Sequence, residues 1–111
     1  MTVQEMSQRI LATIDRAGDA TMVELQSAVG DESKGEYSFE FAPNVVMWAG
    51  MSEMFLAALQ SLRPVIEPHP SSVLCYLYDG GTLRLPLAKR PTRKGYKTPH
   101  WTPVTFRRRQ K

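Results

Sequence analysis

Between Asn44 and Leu62 the chain has only five clearly polar residues, Asn44, Ser52, Glu53, Gln60 and Ser61. A stretch this apolar has to be covered on nearly every side, so it sets what the rest of a 111-residue chain must do. Its spacing predicts a helix. Asn44, directly after Pro43, is placed to cap it, and Arg63-Pro64 would end it. Val45, Trp48, Phe55, Leu59 and Leu62 fall on one side, and Met47, Met51, Met54 and Ala58 form a second stripe at helical spacing. The methionines have two readings. They fill gaps in a core, or with Trp48 they present an interface (Met47, Trp48, Met51, Met54) for a homodimer or a partner protein.

Two shorter helices are written ahead of it. Thr2 and Glu5 have capping-box spacing, and Val3, Met6, Ile10, Ile14 and Ala17 make one apolar stripe before Gly18. The grammar repeats with Thr21 and Glu24, then Leu25 and Ala28, then a stop at Gly30. Tyr37, Phe39 and Phe41 alternate with Ser38 and Glu40, the period of a half-buried strand. After Pro64, short β-like runs are predicted over Val65–Glu67, Val73–Tyr78 and Thr82–Ala88. The last two are separated by Asp79-Gly80-Gly81, a hairpin signal. The expected architecture is α+β, three helices followed by a β-hairpin, with a domain over 1–88 and an irregular, proline-containing basic arm over 89–111. Trp101 and Phe106 are candidates to dock that arm back on the core.

Charge is split along the chain. Residues 1–60 carry three basic and nine acidic side chains, residues 61–111 eleven and two, and no acidic residue follows Asp79. A run of like charge repels itself until something neutralises it, and a phosphate backbone does so with release of counterions. The partner class expected is therefore nucleic acid, DNA in the first instance, or an acidic protein surface.

Three helices and a hairpin, with the second helix opening as Gly18-Asp19-Ala20-Thr21-Met22-Val23-Glu24-Leu25, resemble the winged helix-turn-helix family over residues 1–88. That resemblance implies a third helix in the DNA major groove and a hairpin wing on the backbone. Here Val45, Val46, Met47 and Trp48 would open the third helix, and such side chains do not read base edges. The expectation moves to the wing and the arm. Arg84, Lys89, Arg90, Arg93, Lys94 and Lys97 would track phosphates, Tyr96 or Trp101 would stack on a base, and Arg107, Arg108 and Arg109 would extend the footprint. The function expected is a noncatalytic nucleic-acid-binding protein, a regulator for instance. The alternative is a protein-interaction module built on the apolar third helix, inhibitor-type accessory proteins included.

Catalytic chemistry has no assembled candidate, and no cofactor is expected. His69, His100 and Cys75 are too few and too irregular for structural zinc, and Asp31, Glu32, Glu36 and Glu40 lack the spacing of a calcium loop. Cys75 reads as a small core residue. No apolar stretch approaches the roughly 20 residues of a membrane span, and no signal pattern opens the chain, so a cytoplasmic location is the default.

Overall fold

A computed structural model describes residues 1–89 and 94–109, with Phe41 described by its backbone only. Helix α1 covers Val3–Ala17. The Thr2 hydroxyl accepts from the Glu5 N–H at 3.1 Å, Met6, Ile10 and Ile14 are buried, and Gly18 closes the helix. Strand β1, Ala20–Thr21, leads into helix α2, Met22–Val29, whose capping box is complete: the Thr21 hydroxyl accepts from the Glu24 N–H, and a Glu24 carboxylate oxygen accepts from the Thr21 N–H.

The predicted third helix is where sequence and structure part. Val45–Met51 is strand β3, paired antiparallel with β2, Lys34–Ala42, around a turn in which Asn44 takes φ 59°. Only Glu53–Ser61 is helical, as α3. β3 is the middle strand of its sheet and is buried from Val45 through Trp48, so its apolar run is continuous, and such a run has no period that separates strand from buried helix. Two residues mark the break. Gly50 adopts φ +76°, which a helix interior does not use, and Ser52 caps α3 by accepting the Phe55 N–H at 3.1 Å.

The predicted hairpin is absent. Strand β4, Ile66–Pro70, matches the first short run, but Val73–Tyr78 forms helix α4, capped by Ser72, and Asp79-Gly80 ends that helix. Thr82–Ala88 runs as loop, making one bridge between Leu87 and Trp101. The arm is not irregular throughout, since His100–Trp101 is strand β5 and Val104–Arg108 is strand β6. Three helices followed by a wing is thus replaced, among the described residues, by four α-helices and two three-stranded sheets in mixed order, β1-β6-β4 and β2-β3-β5.

β6, late in the chain, is the central strand of its sheet, and Phe106 opposite Ala20 helps close the core against α1 and α2. Three aromatic rings pack the β2-β3-β5 sheet against α4. Trp48 stacks on Tyr76 at 5.1 Å, and Trp101 meets Tyr76 edge-on at 5.1 Å and Trp48 at 5.9 Å. Aromatic pairs in these arrangements are each worth about 0.5–1.5 kcal/mol beyond their buried area. The radius of gyration, 13.2 Å, is about that of a folded chain of this length.

Candidate nucleic-acid interface

The basic residues separate into two groups with different fates. On β6, Arg108 makes a two-point contact with Asp15 of α1, at 2.7 and 2.9 Å. The guanidinium holds the Asp15 carboxyl below its ordinary range, mainly through that hydrogen bond, and the carboxylate in turn raises Arg108. Arg107 Nε lies 2.7 Å from Asp19 Oδ1, an ion pair without the alignment of a hydrogen bond. Arg109 donates through Nε to the Arg63 carbonyl at 2.7 Å and lies 3.4 Å from Glu67. Glu67 also contacts His69 at 2.9 Å, and its carboxyl is held low, first by His69, then by the charges of Arg109 and Arg107. Arg107, Arg108 and Arg109, expected to extend a phosphate footprint, are therefore each paired with a carboxylate of the protein itself: Asp19 after α1, Asp15 on α1 and Glu67 on β4.

The second group lies between Gly80 and Pro103. Arg84, Lys89, Lys94 and Lys97 are exposed, and among the described residues none makes an ion pair. Arg90 and Arg93 lie outside the described residues. No carboxylate occurs in this stretch.

This basic loop is fastened at three places. Ala88 donates to the Trp101 carbonyl and Trp101 to the Pro86 carbonyl, both at 2.8 Å. Tyr96 donates to the Pro43 carbonyl at 3.0 Å, and the Asn44 side-chain amide donates to the Tyr96 carbonyl at 2.9 Å. His100 donates its backbone N–H to the Asn44 carbonyl at 2.7 Å, and Thr102 continues along β3 to Val46 at 2.9 Å. Gly95 makes the middle fastening possible. It takes φ +72°, and a Cβ there would lie 2.0 Å from the Pro43 carbonyl oxygen.

Tyr96 stacks on His100 with ring centroids 4.0 Å apart and planes 19° from parallel, and both are partly exposed beside Lys94 and Lys97. Trp101 takes no such part. It is 1% exposed with its indole N–H on the Met47 carbonyl, so the expectation that it stacks on a base is corrected.

The predicted protein interface is also inside. Met47, Trp48 and Met51 are buried, and Trp48 donates to Gln26 at 2.8 Å; of that set only Met54 reaches the surface. Cys75, expected in the core, is exposed on α4, because the run it belongs to is a helix and turns Tyr76 inward instead. Among the described residues, no three His, Cys, Asp or Glu side chains are placed to hold a metal, and no helix is long and apolar enough to cross a membrane. The Pro43-Asn44 turn, which anchors the loop, is absent from the sequence expectation. Its signal is the Pro-Asn dipeptide itself, a turn former that serves equally well as a helix start. No protein-family model, curated protein or solved structure matches the chain.

Proposed function

We propose that the protein is a noncatalytic nucleic-acid-binding protein that holds phosphates with the loop over residues 84–97. One observation carries this reading. The loop has six cationic side chains and no anionic one, while the remainder of the chain has eight cationic and eleven anionic. A cationic loop on a net acidic body steers a polyanion to one place and turns it away elsewhere. Its fastenings to β3 and the Pro43-Asn44 turn lower the entropy lost when the cations are ordered on a phosphate backbone. The half-exposed Tyr96–His100 pair offers a face to an unpaired base.

α3 takes no part in this recognition: from Glu53 to Ser61 it has no cation. Binding of a labelled duplex and a labelled single strand, followed by anisotropy across salt concentrations, tests the proposal. With about four to six phosphate contacts, log affinity for duplex should fall against log salt with a slope of about −4 to −5. Affinity that is undetectable at low salt, or flat against salt, contradicts it.

A different surface favours a second reading, self-association. The outward stripe of α4 is Leu74, Leu77 and Tyr78 at i, i+3 and i+4, exposed by 57, 57 and 90%. Such a stripe is what an amphipathic helix offers to a groove. Under this reading, sedimentation should give a concentration-dependent mass that Leu77→Ser removes; a constant monomer mass excludes it.

A further inference from the structure

Where the β2–β3 hairpin, α3 and the β4–β6 pair converge, the fold leaves a recess of about 310 Å³. Its walls are apolar and come from five elements: Phe39 of β2, Met47 of β3, Leu59 of α3, Ile66 and Pro68 of β4, and Phe106 of β6. Met47, Leu59, Ile66 and Phe106 are also members of the buried core, so they form the packed floor of the recess, and Phe39 and Pro68 are its more accessible apolar surface. Three charged side chains, all exposed, complete its lining: Arg63, Arg109 and Glu40.

The two arginines differ. Arg109 is already engaged, with Nε on the Arg63 carbonyl and Nη1 near Glu67. The Arg63 guanidinium, exposed at the end of α3, makes no hydrogen bond or ion pair among the described residues. A planar fork of donors beside an apolar recess matches a carboxylate with an alkyl or aryl body. Glu40 limits the charge the recess accepts, because its carboxylate repels a dianion more than a monoanion. A second, shallower recess of about 160 Å³ shares Phe39, Glu40 and Arg63 and continues over Leu56 and Gln60, giving a longer body somewhere to run.

We propose that this recess binds a small amphipathic monocarboxylate, its apolar body against Phe39, Pro68 and the floor behind them and its carboxylate on Arg63. The site is separate from the basic loop and does not depend on nucleic-acid binding. Sodium octanoate, 1-octanol and octyl phosphate are suitable probes, titrated into the 15N-labelled full chain. Octanoate should bind one to one and at least about tenfold more tightly than octanol, with amide shifts centred on residues 39–40, 59–68 and 106–109. Octyl phosphate should bind more weakly than octanoate. Arg63→Gln, at an exposed position, should cut octanoate affinity about tenfold and leave octanol unchanged. Equal affinity for octanol and octanoate, tighter binding of octyl phosphate, an octanoate affinity indifferent to Arg63→Gln, or shifts confined to residues 84–97 would each overturn the proposal.

Discussion

Gly95 decides where the basic loop sits. Any side chain at this position meets two penalties together, a left-handed backbone and a Cβ 2.0 Å from a carbonyl oxygen. Gly95→Ala should therefore cost about 1–3 kcal/mol in denaturant unfolding and release Tyr96 from the Pro43-Asn44 turn. An unchanged midpoint would mean that the fastening contributes nothing. Tyr76 makes a prediction in pH. Burial pushes its hydroxyl up to about 12, against the hydrogen bond it accepts from the Met22 N–H, while the hydroxyl itself donates to the Val104 carbonyl. The unfolded chain loses this proton near pH 10 while the folded chain keeps it. Stability is therefore intact below about pH 10 and falls between about 10 and 12, by on the order of 2 kcal/mol. Tyr76→Phe should start less stable, because two buried hydrogen bonds disappear, and should show a flatter alkaline limb. An alkaline limb equal to that of the parent would show that Tyr76 is not its source.

At the scale of elements, capping chemistry is legible in the sequence and buried apolar runs are not. α1 and α2 follow their Thr-x-x-Glu boxes and glycine stops, because those signals act within one turn of the backbone and need no tertiary partner. β3 and α4 exchange their expected types for the opposite reason. Met47, Met51 and Met54 have helical spacing, yet β3 is covered on both faces by packing that only the folded molecule supplies. Val73–Tyr78 alternates poorly, and Ser72 before it is the cap that identifies a helix. Ser52 is the equivalent cap for α3, and its hydroxyl also donates to the Glu32 carbonyl at 2.6 Å. Ser52→Ala should lower stability by about 1 kcal/mol, read as a shift in the unfolding midpoint, whereas Ser52→Asp should keep most of the cap. An unshifted midpoint in Ser52→Ala would separate α3 from its N-terminal hydrogen bond.

Across the whole molecule, the cationic run is legible as a run, but its division into paired and unpaired halves is not. Arg108 and its partner Asp15 are 93 positions apart, and only the placing of β6 beside α1 brings them together. The same long-range folding takes Trp101 into the core and leaves Tyr96 at the surface, though nothing in their local sequence distinguishes them. The acidic N-terminal half thus pairs with Arg107 and Arg108 of β6, whereas Arg84, Lys89, Lys94 and Lys97 make no ion pair among the described residues. The most direct test compares two sets of substitutions in one salt titration on duplex and single-stranded ligands: Arg84→Ser with Lys89→Ser and Lys94→Ser, and separately Arg107→Gln with Arg108→Gln. The first set should weaken binding uniformly and reduce the magnitude of the duplex salt slope by about 0.9 for each phosphate no longer neutralised, with the fold unchanged. The second should lower stability and leave the slope in place. The reverse pattern, a slope carried by Arg107 and Arg108 and indifferent to Arg84, Lys89 and Lys94, would contradict the account.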